Sequence, residues 1–177
     1  MRNIIESTLV SIDGVIGEPH LWATDYFGDE ARADALKQLR ASDAMLMGRR
    51  TYEIFAKHWP AQTGPYADRI NSMRKYVFSS TLARAGWTNA TIVKGDVVAE
   101  VAKLKEQDGQ DLIMYGHGPL GQALLARRML DELRLAIHPV FVGRGTPLFR
   151  EGEKMPLKLV GTKTFGNGVV VLLYRPA

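Results

Sequence analysis

Short apolar segments alternate with helix-like ones along most of this chain, and near its end strands follow strands directly. That order restricts the fold more than any other feature. Asn3 to Val10 is apolar and β-branched enough to be a strand. Behind Gly28-Asp29-Glu30, with Asp29 as the expected N-cap, Leu36, Leu39 and the alanines between Ala31 and Ala41 repeat at helical spacing. Ala44 to Met47 reads as a buried strand ending at Gly48, and Thr51 to Lys57 as a helix. Tyr76 to Phe78 and Thr91 to Val93 are two more short strands. The second precedes a helix with Val97, Val98, Val101 and Leu104 on one face. Asp111 to Tyr115 is a fifth strand, Leu120 to Met129 a helix, and Leu133 to Val142 a long strand. Leu157 to Thr164 and Gly168 to Tyr174 then pair across Phe165-Gly166-Asn167, a good hairpin signal. Alternation predicts an α/β fold with a largely parallel sheet and helices on its faces. The closing hairpin adds an antiparallel edge, so the sheet is mixed.

The 177 residues fit one domain, 1–177, with a full-sized core. Cysteine is absent, which removes disulfides, thiolate metal sites and a cysteine nucleophile together. His20, His58, His117 and His138 are scattered without metal-ligand spacing, so no metal is expected. The net charge is +4, with Lys and Arg mixed among acids and no basic tail. That favours an anionic small ligand over nucleic acid. No apolar stretch is long enough to span a membrane. The opening Met1-Arg2-Asn3-Ile4-Ile5-Glu6 carries charge inside its apolar run, unlike a secretory signal, so a cytoplasmic location is expected.

Four strands end in small or polar residues: Gly48-Arg49-Arg50-Thr51, Ser79-Ser80-Thr81, Lys94-Gly95-Asp96 and Gly116-His117-Gly118. Ligands of open α/β sheets bind at such carboxyl ends. Glycine lets a phosphate approach the backbone, and a following helix N-terminus offers free N–H groups. Gly116, Gly118 and Gly121 match G-x-G-x-x-G between a strand and a helix, with Pro119 suited to the first helical turn. A Rossmann domain would place an acid at the end of the next strand to hold a ribose. Here Ile137-His138-Pro139-Val140-Phe141-Val142 runs into Gly143-Arg144 with none. The turn therefore reads as a phosphate grip outside the Rossmann order, or as a tight junction whose glycines serve packing alone.

These residues resemble a family. Asp13-Gly14-Val15-Ile16-Gly17, Leu21-Trp22 and Leu46-Met47-Gly48-Arg49-Arg50-Thr51-Tyr52-Glu53 are similar to the N-terminal half of dihydrofolate reductase. Gly116-His117-Gly118-Pro119-Leu120, Leu130-Asp131-Glu132-Leu133, His138 to Gly145 and Thr146-Pro147-Leu148-Phe149 resemble the reductase domain of the bifunctional riboflavin-biosynthesis deaminase-reductase. The resemblance covers nearly the whole chain. It implies a three-layer, dihydrofolate-reductase-like fold with a mixed sheet of about eight strands, and NADPH as cofactor. Carried over by position, Gly48, Arg49 and Thr51 meet the pyrophosphate and adenosine side. Ser79, Ser80 and Thr81 lie near the adenosine ribose and its 2′-phosphate. Gly116, Gly118 and Leu120 bracket the pyrophosphate, and Val15, Ile16 and Gly17 lie against the nicotinamide. Lys94, Gly95, Tyr115, His117 and Pro119, in or beside the same strand-end turns, complete the candidate contacts. Arg49 or Arg50 beside a 2′-phosphate favours NADPH over NADH.

The chain departs from dihydrofolate reductase at the first helix, where an ungapped match puts Arg32 in place of the pterin-binding carboxylate. Asp25, Asp29 and Asp34 stand nearby, and Asp29 is taken as the substrate-side acid together with Trp22, a ring that can cover a flat substrate. Asp13 is the candidate catalytic acid beside the nicotinamide; its alternative is a turn-forming Asp-Gly pair. His117 stands where the family usually has a second glycine. Two functions follow: an NADPH-dependent reductase of a pterin-like or aminopyrimidine-like heterocycle, or a nucleotide-binding or regulatory protein with weak catalysis on the same fold. A homodimer is expected, with Leu133 to Val142 and the final hairpin as candidate surfaces.

Overall fold

The computed structural model describes residues 1–148 and 154–177; Phe149, which closes the Thr146–Phe149 motif, lies outside them. Among the described residues eight strands form one sheet: β1 (Ile4–Ser11), β2 (Ser42–Gly48), β3 (Arg74–Phe78), β4 (Ala90–Val93), β5 (Asp111–Tyr115), β6 (Glu132–His138), β7 (Leu157–Thr164) and β8 (Val170–Pro176). Their order across the sheet is β4-β3-β2-β5-β1-β6-β8-β7. Strands β1 to β6 pair in parallel, and β8 pairs antiparallel with both β6 and β7. The expected mixed sheet with its closing hairpin is what forms.

Among the described residues five α-helices cover the faces: α1 (Asp29–Ala41), α2 (Arg49–His58), α3 (Pro65–Ser72), α4 (Val97–Glu106) and α5 (Pro119–Ala126). Leu39 of α1, Tyr52 of α2 and Ile70 of α3 pack with Met45, Met47, Val77 and Ile113 on one face. Val101 and Leu104 of α4 and Leu120 and Leu124 of α5 pack with Ile4, Leu46, Leu112 and Met114 on the other. Central β2 is covered on both sides, so Ala44 to Met47 are all buried and read as one apolar run.

Several local expectations change, and helix α5 stops at Ala126 rather than Met129. Gly28, not Asp29, is the N-cap of α1, and Asp29 is its first residue. Helix α2 starts at Arg49 directly after the strand, earlier than Thr51. Strand β6 stops at His138 rather than Val142, because Pro139 cannot donate to a ladder. Helix α3 has no counterpart in the sequence reading. It begins at Pro65, behind Gly64 at φ 106°, a conformation that favours glycine.

Lys75 on β3 is fully buried. Its Nζ donates to the carbonyls of Asn71, Met73 and Thr88 at 2.9, 2.7 and 3.0 Å and lies 4.2 Å from the centre of the Trp87 ring. One ammonium thereby ties the end of α3 to the loop before β4. Burial pulls this amine down to about 8 from its ordinary 10.5. No helix among the described residues is long and apolar enough to cross a membrane.

Candidate functional site

Strands β2 and β5 are parallel neighbours, yet they pass the chain to opposite faces. After β2 it enters α2 on the face of α1 and α3; after β5 it enters α5 on the face of α4. Two helices therefore start from adjacent strand ends and diverge. Between them lies a topological switch point, the place where open α/β sheets form the crevice that takes ligands.

Both helix starts are bare. Gly48 caps α2 and Gly118 caps α5, and neither start has a side-chain hydrogen bond. Their backbones are ordinary, with φ −76° and −87°, so conformation does not demand glycine. Packing does not demand it either: a β-carbon at Gly48 or Gly118 would meet nothing within 4 Å. Gly116 also faces open space, and its φ of 76° favours glycine in its own right. Gly121 is different. A β-carbon there would overlap Glu6 Oε2 and come within 3.2 Å of His117 Nδ1. The G-x-G-x-x-G pattern thus divides into two glycines facing the crevice and one serving close helix–strand packing.

The neighbouring strand ends bring further polar groups to the same edge. Arg49 Nη1 donates to Thr81 Oγ1 at 2.8 Å and its Nε to Glu53 at 2.7 Å, which joins the ends of β2 and β3. Ser79 Oγ accepts from the amides of Thr81 and Leu82. Thr51 is half-buried, while Arg50, Ser80 and Pro119 are exposed. Lys94 is exposed beyond β4, where it borders a shallow hollow with Tyr76, Val93 and Glu100. Gly95 has φ 107° and faces open space. Asp96 caps α4 by accepting from Ala99 N at 2.8 Å, so this third helix start is already occupied by an acid and repels anions.

Asp13 closes the edge at β1. Its carboxylate accepts from Ser11 Oγ at 2.5 Å and from the amides of Val142 and Gly143 at 3.2 and 2.7 Å. These donors, Ser11 first, lower it to about 2 from 3.8. An acid held ionised by three donors is poorly suited to giving up a proton near neutrality; the geometry is that of a clip between the loops after β1 and β6. A depressed acid stabilises its contacts fully above its ordinary value and loses them as pH falls towards 2. Protection of the Val142 and Gly143 amides from hydrogen exchange, measured against the intrinsic rate at each pH, is therefore expected to fall below about pH 4. Protection that stays level down to pH 2 would remove the clip. The loop it anchors is fixed elsewhere as well: Ile16 N and Gly17 N donate to Thr146 O, Leu148 N donates to Gly14 O, and Val15 is buried.

Three expected contacts point away from the crevice. The Tyr115 hydroxyl is 3.2 Å from that of Tyr66 and its ring stacks obliquely on Phe55, so its side chain belongs to the packing beneath α2 and α3. Burial raises this phenol well above its ordinary value. Trp22 donates from Nε1 to Gly17 O at 2.9 Å and presents an edge to His138, which uses the ring to brace the loop. Asp29 is fully exposed, 3.8 Å from Arg32. The acid that α1 turns inward is Asp34. It accepts from Gln38 at 2.8 Å, pairs with Lys163, and lies 3.9 Å from Arg134. Gln38 Oε1 and Arg134 Nη1 are buried without a hydrogen-bond partner.

Beneath the Gly116 turn lies a buried pair. Glu6 is fully buried on β1, and its Oε1 lies 2.8 Å from His117 Nδ1 and accepts from Thr8 Oγ1 at 3.2 Å. Among the described residues, no group of three or more acids and histidines is arranged to hold a metal ion.

A family model for the RibD C-terminal domain matches residues 2–171. The chain belongs to that family. Among curated proteins, this RibD C-terminal domain is 33% identical over 184 aligned positions to the uncharacterized protein YyaP of Bacillus subtilis (strain 168), covering 98% of this chain and 95% of that one. The uncharacterized YwjB of the same organism is 29% identical over 174 positions, covering 95% of each. Among solved structures, a Shewanella sp. PV-4 protein described as a "putative riboflavin biosynthesis protein" superposes with TM-score 0.77 at 21% identity, covering 100% of this chain and 99% of that one. A pyrimidine reductase-like protein of Corynebacterium diphtheriae gives 0.68 at 15%, covering 99% and 92%. The diaminohydroxyphosphoribosylaminopyrimidine deaminase/5-amino-6-(5-phosphoribosylamino)uracil reductase of Thermotoga maritima gives 0.69 at 15%, covering 99% of this chain and 57% of that longer one.

In this RibD C-terminal domain the residues least visible from sequence are Asp34 and Glu6. Asp34 and Gln38 sit one helical turn apart on the face that also carries Ala35 and Leu39, and that polar pair on an inner face was a usable signal. Glu6 carried a signal too: an acid at a buried register of β1, between Ile4 and Thr8. Its partner, 111 residues away, could not be read from spacing.

Proposed function

We propose that this chain is an NADPH-dependent reductase whose dinucleotide lies across the crevice between β2 and β5 and whose substrate is a small, flat heterocycle. Family membership and the reductase-like fold neighbours support a reductase-type role. The observation that carries the cofactor is the pair of bare glycine caps, Gly48 and Gly118, for which neither conformation nor packing accounts. Both leave backbone N–H groups at a positive helix end, which suits a pyrophosphate. In this reading Arg49, braced by Glu53 and Thr81, meets the 2′-phosphate, and Thr51, Ser79, Ser80 and Lys94 flank the adenosine half. Gly116, Pro119 and Leu120 border the pyrophosphate. The pinned Val15-Ile16-Gly17 loop supports the nicotinamide side through its backbone, with Trp22 behind it. NADPH when bound supplies the hydride. Asp13 shapes this wall and moves no proton. The substrate's polar edge lies towards Asp34, the acid that α1 turns inward, with Gln38 and Arg134 behind it.

Fluorescence titration with NADPH and NADH tests the reading. Arg49→Ala should weaken NADPH about tenfold and leave NADH nearly unchanged, since one charge-assisted contact to the 2′-phosphate is lost. Equal losses would move that contact elsewhere. Failure of the wild type to bind either nucleotide at sub-millimolar concentration would end the proposal.

A further inference from the structure

The pair beneath the Gly116 turn has a property that its burial forces on it. Glu6 is fully buried, its Oε2 has no hydrogen-bond partner, and no lysine or arginine contacts it among the described residues. An isolated ionised carboxylate in such a place is strongly disfavoured. His117 is the group placed to compensate it, at 2.8 Å through Nδ1. The pair is neutral as a whole when it holds two protons. One lies between Nδ1 and Glu6 Oε1, on either atom. The other can sit on Nε2 or on Glu6 Oε2, and on Oε2 it would be buried with no acceptor. Neutrality and hydrogen bonding together therefore place a hydrogen on Nε2.

That nitrogen is also the free one. The His117 side chain is only 8% exposed, and its Nε2 has no hydrogen-bond partner among the described residues. His117 immediately precedes Gly118, the bare cap of α5. Pro119 has no N–H to offer, and the first intrahelical bond runs from Gln122 N to Gly118 O. The amides of Leu120 and Gly121 are thus the ones left open at this helix start. Gly121 meanwhile leaves the room that Glu6 occupies.

We propose that Glu6 and His117 form a buried proton-holding pair in which Glu6 positions the imidazole and His117 presents its Nε2–H to a phosphate oxygen at the N-terminus of α5. It rests on the reading of this turn as a phosphate grip. The pair gives the turn a side-chain donor beside its backbone ones, without a lysine or arginine. Glu6 is a positioning residue and touches no ligand.

Nitrogen-15 histidine NMR near neutral pH tests this, with the His117 signals assigned by their loss in His117→Ala. The wild type should show a protonated Nε2 whose resonance moves on addition of inorganic pyrophosphate or NADPH. Glu6→Gln keeps an oxygen for Nδ1–H but removes the charge, so His117 should change to the form with a bare Nε2. NADPH affinity should then fall about tenfold, the loss of one charge-assisted hydrogen bond. His117→Ala should weaken NADPH equally, and the double variant no further, because the two residues act as one unit. A bare Nε2 in the wild type, His117 resonances indifferent to bound NADPH, or additive losses in the double variant would overturn the pair while leaving the cofactor reading intact. If neither NADPH nor pyrophosphate binds the wild type, the phosphate grip and the pair's role fall together. Should Glu6→Gln not fold, the wild-type spectra and His117→Ala still decide.

Discussion

Replacing Gly118 with aspartate is expected to stabilise the fold and remove NADPH binding at once. Gly118 has the extended backbone of a helix N-cap, at φ −87° and ψ −168°, and open space where a side chain would project. Aspartate is a preferred N-cap, and its charge suits the helix dipole. The gain over glycine should be about 0.5 kcal/mol, read as a small rise in Tm. The same carboxylate would occupy the amides of Leu120 and Gly121 and face the pyrophosphate with a like charge. Such a juxtaposition costs several kcal/mol, so NADPH affinity should drop about a hundredfold or more. Opposite signs in the two measurements separate a ligand-facing glycine from a structural one. Unchanged NADPH affinity in a stabilised Gly118→Asp protein would show that the cofactor does not use this helix start.

The largest effect on stability is expected at Lys75. Lys75→Met preserves the buried stem but leaves three inward carbonyls, of Asn71, Met73 and Thr88, without their donor. Orphaned buried acceptors cost about 1–3 kcal/mol each, partly offset by no longer burying an ammonium, for a net loss of about 3 kcal/mol. The pH dependence separates this from a simple packing defect. In the fold the amine is lowered to about 8, against 10.5 ordinarily, so between those values the unfolded chain binds a proton that the folded chain has released. Stability from this residue therefore rises with pH across that window and is level below it. Each pH unit of that window is worth about 1.4 kcal/mol, so the full rise is about 3 kcal/mol. Denaturant melts of the wild type should show it, and Lys75→Met should lack it. A variant that keeps the same rise would place the titrating group elsewhere.

The fold was largely legible because its signals are local. Ala44 to Met47 is apolar throughout because β2 is covered on both faces, and Phe165-Gly166-Asn167 marks the hairpin because its turn favours those residues. Helix α3 escaped because it is one short stretch, Pro65 to Ser72, with only Ala67 and Ile70 fully buried. At the candidate site, strand ends alone were enough to nominate the glycines and Arg49. The substrate side could not. Asp29 and Asp34 are both acids of one helix, and only the rotation of α1 against β6 and β7 separates a fully exposed residue from the inward one. Asp13 was legible as a turn residue, but the amides of Val142 and Gly143 that hold it come from 129 and 130 residues away.

The β2–β5 ladder has a consequence for how such a site can change. Adjacent strands sit about 4.8 Å apart, and hydrogen-bonded ladders do not stretch. The two bare helix starts grow from the ends of this one ladder, so the jaw between them has a fixed gauge. Mutation at the rim, through Arg49 or Thr81, can alter what the jaw prefers to hold at its edge. The gauge itself changes only by breaking the centre of the sheet, so under the proposed function rim substitutions would alter what is bound while the span between the two helix starts stays the same.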